Sequence, residues 1–398
     1  MSAASGVDWS PALQLAAIAL ALAGAFAGWT AWRQRRAPRS GWLRTLTLLT
    51  LFLTFDLIVF GAYTRLSDSG LGCPDWPGCY AQSTPLAAQA HIAAAEAAQP
   101  HGPVTQRKAW VEMLHRYLAM SVGALITAMA LVHAGLALRR RRPPTQAVLD
   151  PAPRDAPPVF AAWTALLFLW VCGQGAFGAL TVTMKLYPVI VTAHLLGGVG
   201  LLALLAVMAH RQAPNALDLP TRLRWAVRAV LLLVIAQVTL GGWVSTNYAV
   251  LACADFPTCQ GSWWPAMDLA SGFQWRRELG QTADGRFLPF AALTAIHVVH
   301  RLGALAVALA VGALAWALRR RGRTQAARAL AGLLAWQIGS GISNVVLDWP
   351  LAAALAHTAG AAALVATLAA LSVVKSQPQA LPSTRPTRLG LSGMLAAR

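Results

Sequence analysis

Nine apolar runs, at roughly 11–32, 43–64, 111–138, 160–183, 188–209, 225–247, 288–318, 329–347 and 350–374, decide what this chain can fold into. Each is near or above the ~20 residues that a helix needs to cross the hydrocarbon layer of a bilayer. Composition agrees: 57% of residues are hydrophobic, 12% are charged and the mean hydropathy is +0.53, which excludes an ordinary soluble domain. The expected fold is an all-α integral membrane protein in a lipid bilayer.

The first run has no basic residue before it and is followed by Arg33, Arg35 and Arg36 where a signal peptide would carry small residues for cleavage. It is expected to remain as an extra N-terminal transmembrane helix. Threading nine spans with the N-terminus outside puts 23 of the 32 Lys and Arg residues on one side, around 33–44, 139–154, 211–228, 319–328 and 375–398. By the positive-inside rule that side, with the C-terminus, is cytoplasmic. The net charge of +18 is therefore a topology signal. A nucleic-acid partner is not expected, because the basic residues gather on no soluble domain.

Residues 71–79 read LGCPDWPGC and 251–259 read LACADFPTC, the same pattern at an offset of 180. They follow GAYTRL (61–66) and GGWVST (241–246), so the likeness reaches back into the preceding helices. HR recurs at His115-Arg116 and His300-Arg301, and Gln174, Gly178 and His194 match Gln337, Gly341 and His357 at an offset of 163. The chain thus reads as an eight-helix core of two tandem four-helix bundles, parallel because four spans return the chain to the same side. The expected boundaries are 1–42 for the extra helix and linker, 43–210 and 211–374 for the two units, and 375–398 for a polar cytoplasmic tail. The stretch 139–158 reads as a charged, Pro-rich connector.

Cys73, Cys79, Cys253 and Cys259 fall in outward loops, where an oxidising compartment permits a disulfide in each. Zinc is a poor alternative at this spacing without a nearby His, and a redox-active pair stays open. Cys172, inside an apolar run, reads as a small core residue.

Of nine histidines, His91 and His101 fall in the long outer loop, and His133 and His210 near cytoplasmic helix ends. At 1.5 Å per residue, His115, His194, His300 and His357 lie about 25 to 36 Å from the cytoplasmic ends of their helices, at one level near the outer edge of the layer. Any one of them alone would more often be an interhelical hydrogen bonder. Four at one level, two per unit, are the arrangement by which a bundle offers opposed axial ligands to a haem iron. Arg116 and Arg301 could pair with haem propionates at the interface, or simply snorkel. Glu112, three residues before His115, puts an ionisable carboxylate near one pocket, whereas His297 holds that place in the other. Glu112 is the catalytic candidate, against the bland reading of a carboxylate favoured by a helix N-terminus. Asp56 is costly in its span and its role stays open. Gln174 and Gln337 read as interhelical hydrogen bonders.

EMLHR (112–116), TAHLLGG around His194, VHR around His300 and ALAHTAG around His357, with the paired outer cysteines, resemble the haem A synthase family over about 43–374. The resemblance implies a bacterial inner-membrane oxidoreductase that converts the C8 methyl of haem O into the formyl group of haem A for terminal cytochrome oxidase. It implies a permanent haem b on His300 and His357, substrate haem O between His115 and His194, both near the periplasmic face, and no non-haem metal. It also implies haem O synthase as upstream partner and an electron donor that the sequence does not name, and it leaves a homo-oligomer open. The cysteine loops become covers over the pockets, and 81–109 is expected to be partly helical over the first. The rival from another class is a di-haem b-type electron-transfer cytochrome; a transporter fits less well.

Overall fold

The computed structural model describes residues 10–35, 39–140, 159–213, 217 and 219–373. Most of the 139–158 connector and the 375–398 tail lie outside these. Among the described residues nine helices are long and apolar enough to cross a membrane, and no β-strand is present. They are α1 (Ser10–Arg33), α2 (Arg39–Leu66), α4 (Gln106–Arg140), α5 (Val159–Thr183), α6 (Pro188–Gln212), α7 (Thr221–Thr246), α9 (Phe290–Arg320), α10 (Thr324–Val346) and α11 (Leu351–Leu371), while α3 (Gln89–Ala98) and α8 (Leu269–Gly272) are short outer helices. The protein is a multi-pass membrane protein.

Helix starts follow local chemistry. Pro188 opens α6 at its first turn, and Pro220, Pro289 and Pro350 cap α7, α9 and α11, where a missing N–H costs nothing. The helix α4 begins at Gln106, before the apolar run at 111, and carries the polar QRK segment in its first turn.

In the first half α2 packs on α4, α4 on α5, α5 on α6 and α6 back on α2; in the second, α7 packs on α9, α9 on α10, α10 on α11 and α11 back on α7. These are two closed rings. Within them α4 stands diagonally across from α6, and α9 from α11. The rings meet where α11 lies on α2 and α6, and where α6 lies on α7. The helix α1 lies outside, on α4 and α2.

Each ring holds a packed apolar core. Val122, Leu125, Ile126, Met129, Leu201, Leu205 and Met208 fill the first, and Val307, Val311, Leu314, Leu364, Val365 and Leu368 the second. Surrounding lipid is as apolar as these side chains, so their close packing stabilises mainly through dispersion contacts. Leu131, Leu169, Leu232 and Leu309 stay 67–68% exposed, which is tolerable only against lipid tails. Cys172 corrects an expectation: it is exposed on α5 and is not a core residue. The helix is apolar all round, so its sequence holds no sign of which face turns inward.

Candidate functional site

The four histidines sit where the packed cores stop. Val122, Leu201, Val307 and Leu364 follow His115, His194, His300 and His357 by seven residues each, and each belongs to a core. Two helical turns, about 10 Å, therefore separate every imidazole from the floor beneath it. His115 on α4 and His194 on α6 occupy diagonal helices and lie within electrostatic range of each other; His300 on α9 and His357 on α11 repeat the arrangement.

Behind each ring is a bare glycine. A Cβ on Gly61 would stand 3.0 Å from His115 Nε2, and one on Gly178 3.6 Å from His194 Cε1. In the second ring, Gly241 would meet His300 Cε1 at 3.1 Å and Gly341 would meet His357 Cε1 at 3.2 Å. The neighbouring helix thus carries no side chain where each imidazole lies against it.

Above the first pocket a buried network joins α4 to the loop. Glu112 accepts from the Cys73 backbone N–H at 2.8 Å and from Arg116 Nη2 at 2.6 Å. Arg116 Nη1 donates to the carbonyls of Asp75 (2.9 Å) and Pro77 (3.3 Å) and to that of Gly78. The loop holds itself through the Asp75 carboxylate, which accepts from the backbone N–H groups of Tyr80 and Ala81, and through the Cys73–Cys79 disulfide.

Above the second pocket Arg301 donates to Thr258 O at 2.8 Å and Cys253 O at 3.1 Å. Asp255 accepts from Gln260 and Gly261, and Cys253 is bonded to Cys259. The Asp255 carboxyl is held below its ordinary range first by the Thr258 hydroxyl and then by the Gly261 N–H. Both arginines, read in the sequence as propionate partners or snorkelling groups, thus tie a loop to its helix. His297, in the place of Glu112, is buried and its Nδ1 has no hydrogen bond.

Residues 44–369 match COX15-CtaA, described as cytochrome oxidase assembly protein. The chain belongs to that family. A relative from Shewanella oneidensis strain MR-1 named heme A synthase is 38% identical over 335 residues, covering 83% of this chain and 96% of that protein. Proteins of the same name from Rhizorhabdus wittichii and Methylobacterium nodulans are 28% and 30% identical, over 83% and 80% of this chain and 93% and 90% of theirs.

In this COX15-CtaA chain the residues fit a haem: histidines in pairs on diagonal helices, with a bare glycine beside each. The helix α1 precedes the matched region. It packs on α4, and its Gln14 accepts from Ser83 in the outer segment at 2.5 Å. That outer segment contains α3, which lies on α4 through buried Ile92. Asp56 is half-buried and has no side-chain hydrogen bond among the described residues.

Several site residues carry no signal that sequence reasoning used. The four glycines were visible in the matched strings GAYTRL and GGWVST and in the Gln-x3-Gly pairs, but not their purpose. Gln237, whose side chain lies 3.0 Å from His300 Nδ1 and 2.9 Å from the His300 carbonyl, and Ser340, 3.0 Å from His357 Nδ1, stand on neighbouring helices.

Proposed function

We propose that this chain is a haem A synthase of the bacterial inner membrane, an oxidoreductase that turns the C8 methyl of haem O into the formyl group of haem A. Membership in the COX15-CtaA family and likeness to proteins named heme A synthase support the reading. The observation that carries it is an asymmetry between the two pockets: buried Glu112 stands one turn from His115, and His297 takes that place beside His300.

In this reading 43–210 and 211–374 are tandem, parallel four-helix units, 1–42 adds the extra helix and 375–398 is a cytoplasmic tail. The N-terminus and the pockets lie toward the periplasm. His300 and His357 hold haem b permanently; His115 and His194 admit haem O. Bound haem iron supplies the redox chemistry, and the protein supplies placement and charge. Glu112 does its part from a fixed position: the Cys73 N–H and the Arg116 guanidinium aim its carboxylate. From there it takes up a proton or steadies positive charge as the methyl carbon is oxidised. Arg116 and Arg301 keep the loops closed over the pockets, which excludes water. Haem O synthase is the expected source of substrate, with a separate electron donor.

Extracting the haems from membranes that express the protein with a haem O supply, and comparing wild type with Glu112→Ala by chromatography, tests the proposal. Haem A in the wild type, and none or a partly oxidised haem in the variant, is the expected result. About two haem b per chain and no haem A in either would leave an electron-transfer cytochrome instead.

A further inference from the structure

The two histidines at matched places on α6 and α11 are held differently. Gln337 Nε2 donates to the His357 backbone carbonyl at 2.8 Å, and Gln337 has a counterpart, Gln174, in the first unit. The residue type alone does not distinguish the pockets. Ser340 does: its Oγ lies 3.0 Å from His357 Nδ1, and at the same offset of 163 the first unit has Phe177. His194 Nδ1 is accordingly buried with no hydrogen-bond partner.

The direction of the Ser340 bond follows from proton counting. A serine hydroxyl has one proton, and that of Ser340 is donated to the Trp336 carbonyl, one turn back on α10, at 2.7 Å. Toward His357 the oxygen can only accept. An imidazole proton on Nδ1 satisfies that acceptor and leaves the lone pair on Nε2. A neutral histidine binds iron through that tautomer, and an acceptor behind the ring both fixes its orientation and raises its basicity.

We infer that Ser340 is a positioning residue that sets the tautomer of His357 for a permanently held haem, and that Phe177 in its place leaves His194 free to take and release a macrocycle. The inference rests on His300 and His357 being the haem b ligands. It goes beyond that reading in naming what makes one pocket retain and the other exchange.

The test is haem b per chain and its midpoint potential in purified Ser340→Ala, Ser340→Thr and His357→Ala, with helicity and detergent-column elution as folding checks. Outer partners of metal-bound histidines are worth roughly 10- to 100-fold in affinity, so Ser340→Ala is expected to lose haem b on washing about 10-fold more readily. A less basic ligand stabilises the ferric state less, so the haem that remains should titrate at higher potential, and Ser340→Thr should restore both properties. Should Ser340→Ala fail to fold, Ser340→Cys, with its weak sulfur acceptor, must show the same upward shift. Wild-type retention and potential in Ser340→Ala, with haem b lost from His357→Ala, would overturn the inference alone. Haem b kept unchanged in His357→Ala would remove the ligand reading beneath it.

Discussion

Tyr248 donates its hydroxyl to Asp68 at 3.0 Å, and the two residues are 180 positions apart, the interval between the two cysteine loops. Arg65 Nη2 reaches the Ser245 carbonyl at 2.9 Å across the same interval and lays its guanidinium 4.0 Å over the Tyr248 ring. Positions separated by that interval thus touch each other in space. The C-terminal ends of α2 and α7 meet there.

Arg65→Ala removes both a hydrogen bond and a cation–π contact across that junction. The site is partly exposed, so the loss is expected to be about 1–2 kcal/mol, and Tyr248→Phe should cost about 1 kcal/mol or less. Thermal unfolding in detergent reads both. Coupling measured in the double variant should be favourable, and simple additivity would mean that the two contacts act separately.

The Glu112–Arg116 pair is buried, with side chains 5% and 9% exposed. Removing one partner leaves the other charge stranded, which costs about 3–5 kcal/mol in such settings. Arg116→Ala should therefore destabilise strongly, and adding Glu112→Gln should recover part of the loss because the stranded carboxylate is gone. A double variant no more stable than Arg116→Ala would show that the arginine acts only through the loop carbonyls.

How much of this was legible in the sequence follows from what each feature depends on. All nine spans are local facts of apolar length, and the runs differ from the observed helices only at their ends. The histidines were legible because the matched motifs mark them twice, and Glu112 because His297 breaks the match. The ring closures, the inward face of α5 and the Ser340–His357 contact depend on which helices become neighbours, and uniformly apolar helices carry little periodicity to announce that. The guanidinium positions escaped for a related reason: carbonyls of a loop have no signature in the residue types that supply them.

Each cysteine loop is anchored to a different pocket, the first through Cys73 N–H on Glu112 and the second through Cys253 O on Arg301. Replacing Cys73 and Cys79 by Ser is expected to cut haem A formation while haem b stays. Replacing Cys253 and Cys259 should release haem b. Haem extraction from the two purified variants separates these outcomes, and equal losses of both haems would mean that the loops serve only the fold.

The glycine recesses allow a cleaner separation of pocket from fold. At Gly241 a methyl group would press on His300 at 3.1 Å, whereas nothing lies within 4 Å of a Cβ on Gly173. Alanine is otherwise favoured over glycine inside a helix by up to about 1 kcal/mol. Gly173→Ala should therefore unfold at or slightly above the wild-type temperature with its haem content intact. Gly241→Ala gains the same helical preference but pushes the His300 ring from its recess, so it should keep its helicity and lose haem b. A variant that kept both would mean that His300 can shift by a few tenths of an ångström at no cost, and the recess would then be incidental to the ligand.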